Sequence, residues 1–348
     1  MKKKTIMNYK TKINVVLLIT LIVTSIFLAG CEYSFSFNNT NQLKAEDAKE
    51  FKVEKTSVEP IQQININAKL GDIEFIEDDN YYVEIDYRYF EEEPDYKWEG
   101  GTLTFDDFKS FPNSYSISFS IKNTVKIYLP KDAYLERIKI AAASGDVALS
   151  NFLADKLNVS VAYGDFDMKK SSAAEANISM ASGNSDIRDF NVEKLDFSNS
   201  YGDAEFTNIN TGATVTGSKY SNCGIKVSMA SGNCVFDSLT GKTLDISNSY
   251  GSIKCKGLFI KEFDSDLSSG NLTVSGSAVD DLDISNSYGD VTLELKGDSK
   301  EYMLDLNTSY GSIDIDGKHY DSHLTRENNG HKNISADLSS GDIGLKFE

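Results

Sequence analysis

The sequence predicts an all-β chain wound as a β-solenoid, and three observations predict it. An octet is written three times with small changes, as DFSNSYGD (196–203), DISNSYGS (245–252) and DISNSYGD (283–290). Glycines of this kind recur 19 residues apart, at Gly145, Gly164, Gly183 and Gly202, then at Gly232, Gly251, Gly270 and Gly289; Gly311 and Gly341 follow at longer gaps. Around each glycine apolar residues alternate, as Leu282 and Ile284 before Gly289 and Val291, Leu293 and Leu295 after it. Period-two patterning marks strands, the Gly-Asp or Gly-Asn step marks a tight bend, and repetition at a fixed period marks stacked coils.

The first element stands outside the solenoid. Lys2, Lys3, Lys4, Lys10 and Lys12 precede an apolar run from Ile13 to Leu28 that is short for a bilayer span, the pattern of a signal peptide over residues 1–31. It ends Leu28-Ala29-Gly30-Cys31, which resembles the lipobox of bacterial lipoproteins. That resemblance implies cleavage before Cys31, acylation of Cys31, and attachment to the cell membrane with the chain facing outward. Residues 32–50 have little periodicity and read as a flexible tether. Residues 51–135 are acidic and strand-rich and read as an N-terminal β cap covering the first coil. Residues 136–348 are the repeat domain.

Charge narrows the partners. The chain carries 35 Lys and Arg against 53 Asp and Glu, a net charge of −18. Cleavage before Cys31 removes five lysines and no acid, which leaves 30 against 53, or −23. Such a surface repels nucleic acid and attracts cations and basic peptides.

Coil contents alternate. Ser144, Tyr163, Ser182, Tyr201, Ser231, Tyr250, Ser269 and Tyr288 precede the glycines in turn. Asn199, Asn248 and Asn286 lie three before the Tyr-type glycines, where Met180, Met229 and Leu267 serve the Ser type. Either the coil has 38 residues or it has 19 with alternating contents. Direct stacking of the asparagines in an amide ladder favours 38. The remaining cysteines, Cys223, Cys234 and Cys255, are odd in number, lack a CxxC motif, and read as inward-facing free thiols.

The matching stretches AAASGDVAL (141–149), VAYGDFDM (161–168), SMASGN (179–184 and 228–233), SNSYGD and LSSGDIGLKF (338–347) resemble a bacterial family of candidate adhesins that includes the head-GIN type. The resemblance covers about residues 55–348. It implies a right-handed parallel β-helix and a role in adhesion or in the response to envelope stress, and it brings no catalytic residues.

Candidate chemistry is sparse. Asp280, Asp281, the Gly330-His331-Lys332 stretch and the arginines Arg88, Arg137, Arg188 and Arg326 are what the sequence offers a polysaccharide lyase or hydrolase, the third alternative; nothing groups them, and neither a nucleophile elbow nor a zincin motif occurs. His319, His323 and His331 cluster in the gap between Gly311 and Gly341, which reads as a polar loop rather than a metal site. Asp146, Asp165, Asp203, Asp290 and Asp342 follow the glycines and suit the bends themselves. Tyr163, Tyr201, Tyr250, Tyr288 and Tyr310 form the candidate binding stripe, although strand parity sets the rings on the inward side. The expected protein is therefore not an enzyme and needs no cofactor or metal. It binds the bilayer through Cys31 and a glycan, protein or cationic peptide through its surface, as a surface adhesin or as a decoy that captures cationic antimicrobial peptides on residues 51–135.

Overall fold

The computed structural model describes residues 41–112, 115–117, 121–212, 223–327 and 330–348. Residues 1–31, where a signal peptide and the acylated Cys31 are expected, lie outside the described residues. The described chain is all-β apart from two single-turn helices, Ala45–Asp47 and Ser299–Glu301.

The strands stack in parallel, each displaced by 19 residues from the next. Phe166–Ser182 pairs with Ser185–Tyr201, so that Leu195 lies on Ala176 and Tyr201 on Ser182. The same offset joins Phe152–Tyr163 to the first of these and Ile253–Ser269 to Leu272–Tyr288. The coil is thus 19 residues long with alternating contents, and the 38-residue alternative is overturned. Across the 11 extra residues the offset becomes 30, from Ser185–Tyr201 to Gly224–Ser231, and the register is otherwise kept.

The asparagines do not stack on one another. One column reads Met180, Asn199, Met229, Asn248, Leu267, Asn286, because asparagine and an apolar residue alternate at every coil. Each amide instead reaches one coil back. The Nδ2 of Asn199 donates to the Gly183 carbonyl, that of Asn248 to Gly232 and that of Asn286 to Gly270, all at 2.9 Å. A side chain that bonds to backbone needs no identical neighbour, which removes the reason to expect the longer coil.

Every full coil turns two corners that the sequence marks. At the first, the glycine has φ near +130°, and a Cβ built on Gly183 would lie 1.9 Å from the Gly164 carbonyl oxygen. The glycines stack backbone on backbone and leave no room for a side chain. Six residues later comes a left-handed residue: Asn151, Lys170, Asp189, Asn208, Ser238, Gly257 and Gly276, all at φ 51–69°. Asn and Asp tolerate this region best among non-glycine residues. Here the corner is open, so the residue type varies.

Inside, Ile, Leu, Val, Phe and Met columns form one continuous core, with Phe206 stacked on Phe236 at 4.5 Å and set edge-on to Phe197 at 5.2 Å. Cys234 and Cys255 are buried within it, and burial pushes both thiols upward, that of Cys234 far above the ordinary value. Cys223 departs from the inward position expected for it. It is partly exposed just before the strand Gly224–Ser231.

Both ends of the stack are interleaved. Near the N-terminal end, Gln63–Ala68 lies between Ala133–Ser144 and Thr102–Asp106, and Asp72–Glu77 between Val147–Ser150 and Thr124–Leu129. Near the other end, Lys332–Ser340 lies between Leu272–Tyr288 and Tyr302–Thr308, and Ile343–Phe347 between Val291–Leu295 and Ile313–Ile315. The outermost parallel strands then pair antiparallel with Asp95–Glu99 and Tyr82–Tyr89 at one end and with Lys318–Tyr320 and His323–Arg326 at the other. Antiparallel flaps end the parallel ladder and limit its growth onto another chain.

One buried group ties the N-terminal end together. Asp107 accepts from the backbone N–H groups of Lys69 and Leu70 and from the Tyr87 hydroxyl, and the Lys69 Nζ donates to the Phe111 carbonyl at 3.0 Å. Burial is the main influence on Asp107 and raises its carboxyl from 3.8 to about 6. A raised folded-state value means that its stabilising contribution is complete below pH 3.8 and is lost as pH rises through 6. The difference corresponds to about 3 kcal/mol. Denaturant midpoints taken from pH 8 to pH 4 are therefore expected to gain this increment in the parent protein and to lack it in Asp107→Asn. Parallel curves for the two proteins would contradict it.

Candidate functional site

The glycine corner carries the distinctive surface. Tyr163, Tyr201, Tyr250 and Tyr288 are 65–67% exposed and Tyr310 is 81% exposed, so the rings point to solvent and do not close the core. Parity fails here because it holds only along a straight strand. Val159 and Val161 face inward, but the chain turns at Gly164 and swings Tyr163 outward.

Register places the tyrosines on one line. Ser182 pairs with Tyr163 and Tyr201, Ser231 with Tyr201 and Tyr250, and Ser269 with Tyr250, while the Gly270 N–H donates to the Tyr288 carbonyl and Ser340 pairs with Tyr288. The Gly341 N–H donates to the Tyr310 carbonyl and adds the fifth. With coils about 4.8 Å apart, successive tyrosines are about 9.6 Å apart. Serine and glycine floor the gap between each pair. The buried asparagines lie two residues before Tyr201, Tyr250 and Tyr288 and clamp the corners that present them; Thr308 does the same before Tyr310, donating to the Gly341 carbonyl at 2.8 Å.

Beside the tyrosines runs the ladder that the sequence had suggested elsewhere. The side chain after each glycine accepts from the backbone N–H of the next coil. Asp146, Asp165, Asn184, Asp203 and Asn233 follow one another in this way at 2.7–3.1 Å. The series continues through Ser252, Asn271, Asp290 and Asp342 to Ser312 at 2.7–3.4 Å. These acids therefore serve the bends and are held in fixed orientation. Three of them, Asp165, Asp203 and Asp290, stand two residues after a tyrosine and are exposed.

A surface cleft of about 500 Å³ opens on the same side, lined by Asp165, Asp167, Asp186, Asp203 and Glu205 with Lys254 at its margin. Burial and the neighbouring Asp186 raise the Asp167 carboxyl above its usual value. The edge thus joins an evenly spaced aromatic row to a concentration of negative charge.

The remaining candidates are dispersed. His319 lies on Lys318–Tyr320, His323 on His323–Arg326, and His331 precedes Lys332–Ser340; among the described residues no group of three metal-binding side chains comes together. The strand register brings Asp280 and Asp281 to the Gly330–Lys332 stretch, where Lys332 pairs with Asp280 at 3.6 Å and with Glu301 at 3.1 Å. That arrangement is an ion-pair network. The Glu92, Glu93 and Asp95 run of the N-terminal region lines a separate cleft with Asp106 and Lys109. Among the described residues no helix is long and apolar enough to cross a membrane.

Two further features of the sequence belong to these columns. Gly71 belongs to the glycine column, since a Cβ on Gly145 would lie 2.1 Å from its carbonyl oxygen, and Leu70-Gly71-Asp72 carries the bend motif. The left-handed corner is marked by Asn151, Asp189 and Asn208, spaced 38 and 19 residues apart with Lys170 between the first two.

No curated protein matches the chain. A solved structure from Clostridium sporogenes, provisionally named a cell adhesion protein, is 12% identical over 86% of this chain and 99% of its own, with a TM-score of 0.23. One from Bacteroides fragilis, provisionally named an adhesin, is 14% identical over 67% and 99%, with a TM-score of 0.39. One from Parabacteroides distasonis, provisionally named a lipid binding protein, is 14% identical over 88% and 100%, with a TM-score of 0.36. The family model described as Toastrack DUF4097 matches residues 61–346, and the chain belongs to that family.

Proposed function

We propose that this chain is a lipid-anchored, outward-facing binding protein without catalytic activity, a right-handed β-solenoid whose tyrosine edge captures an extended ligand. The observation that carries this reading is the line of five exposed tyrosines at a constant spacing, each presented from a corner rather than packed into the core. Large apolar rings left in solvent at matched positions cost hydration, and a repeating row of them suits a repeating partner. The basic start, apolar run and Leu28-Ala29-Gly30-Cys31 support the anchor. The names given to the adhesins above agree with a binding role.

An array of glycans and peptides probed with the purified protein tests the reading. The parent protein is expected to be retained by at least one extended polymer. The triple variant Tyr201→Ala/Tyr250→Ala/Tyr288→Ala should lose that retention and melt at the parent temperature, because the rings contribute little to the core. Equal retention by the variant, or a fall of many degrees in Tm, would overturn it. Metabolic labelling with a fatty acid tests the anchor, and Cys31→Ser should abolish the label.

A further inference from the structure

Building on that reading, we infer that the ligand of the tyrosine edge is a proline-rich, cationic peptide in the polyproline II conformation. Two properties of the edge, its period and its charge, point to this class.

The period comes first. Tyrosines on alternate coils repeat at about 9.6 Å. A polyproline II helix has three residues per turn and rises about 3.1 Å per residue, so one face repeats at about 9.3 Å. The two repeats stay in step. Four intervals along the row, Tyr163 to Tyr310, span about 38 Å, and twelve residues of polyproline II span about 37 Å. An extended β-strand fits worse, since its side chains return to one face every two residues, or about 6.8 Å. The spacing also suits the size of a pyrrolidine ring. A ring seated midway in a gap floored by Ser182, Ser231 or Ser269 lies about 4.8 Å from both flanking tyrosines, within the range at which ring faces pack. Aromatic rows that receive prolines at this pitch are a recurring mode of peptide recognition, in which the pre-ordered peptide loses little entropy on binding.

Charge selects among proline-rich peptides. Asp165, Asp203 and Asp290 lie two residues from Tyr163, Tyr201 and Tyr288, while Ser252 and Ser312 follow Tyr250 and Tyr310; the adjoining cleft adds Glu205 beside Asp167 and Asp186, which Arg188 pairs at 4.0 and 2.8 Å. The backbone of the next coil holds Asp165, Asp203 and Asp290 in place, so they are pre-oriented toward a passing cation. Arginine at every third position would place one guanidinium per turn along this row. A neutral glycan would leave the charge unanswered, and an anionic one would be repelled.

Fluorescence anisotropy with the full chain in detergent tests the inference, using labelled (Arg-Pro-Pro)4, (Arg-Gly-Gly)4, (Gln-Pro-Pro)4 and a chito-oligosaccharide. The parent protein is expected to bind (Arg-Pro-Pro)4 at least tenfold more tightly than either altered peptide, and less tightly as salt rises. Tyr250→Ala/Tyr288→Ala should lose at least tenfold with its melting temperature unchanged. Equal affinity for (Arg-Gly-Gly)4 would reduce the interaction to charge alone and overturn the inference. So would equal binding by the tyrosine variant, or failure of every peptide to bind. Tyrosine-dependent binding of the sugar without peptide binding would also overturn it while leaving the binding role of the edge intact. That role falls separately if no ligand on the array depends on the tyrosines.

Discussion

Gly232→Ala is expected to leave little folded protein. A Cβ at this position would lie 2.0 Å from the Gly202 carbonyl oxygen and 2.6 Å from its carbon, and φ is +128°. The obstacle is backbone, so no rotamer change relieves it. Gly251 stacks on the next side at the same separation, which blocks escape along the axis. The unfavourable dihedral alone costs about 1–3 kcal/mol. The clash adds to it and carries the substitution past about 4–5 kcal/mol, the level reached only by the most damaging changes. Soluble yield and thermal unfolding followed by circular dichroism measure this. Gly276→Asn is the matched control. At Gly276 φ is +55°, nothing lies within 4 Å of a built Cβ, and the equivalent coils carry Asn151, Asp189 and Asn208. Its stability should stay within about 1 kcal/mol of the parent. Similar stabilities for the two variants would contradict the backbone stacking of the glycine column.

Phe206→Ala should be the most costly of the simple core truncations. The ring is fully buried, lies parallel to Phe236 with an interplanar angle of 7°, and meets Phe197 at 87°. Its column runs Ile187, Phe206, Phe236, Cys255, so the neighbour on one side is aliphatic and on the other aromatic. Truncation removes the hydrophobic contribution of the ring and leaves a cavity that stacked coils cannot collapse to fill, at a cost of about 3–5 kcal/mol. Denaturant unfolding should show a lower midpoint with the slope retained. Phe206→Leu, which keeps most of the volume, should recover more than half of the loss. A cost under 1 kcal/mol for the alanine would mean that the two phenylalanines do not form the stack.

The all-β class and the stacking period were legible because glycine spacing and apolar alternation are set by the backbone. Coil length is not legible from the repeated asparagines, because Asn199, Asn248 and Asn286 bond to glycine carbonyls one coil back and not to their copies. Alternation sets the tyrosines inward only if it is carried two residues past Val161, into the turn, where it no longer holds. Gly71 escaped notice because 74 residues separate it from its stacking partner Gly145. Asp107 gave no local sign at all; its partners Lys69 and Tyr87 are 38 and 20 residues away, and only the folded chain joins them.

The interleaved ends change how such a molecule can come apart. Linear repeat arrays usually loosen from their extremities, where a terminal unit has a single neighbour. Here the strand Lys332–Ser340 is wedged between two others, so peeling at that end begins with the flap strands Lys318–Tyr320 and His323–Arg326, which precede it in the sequence. Amide protons of Lys332–Ser340 should accordingly exchange as slowly as those of mid-chain strands. The same wedge must be driven home last as the chain is made, since its slot is built from residues already present. A chain halted before residue 330 would present two facing ladders of unpaired amides, and folding of the intact protein requires that gap to stay open until the final strand arrives.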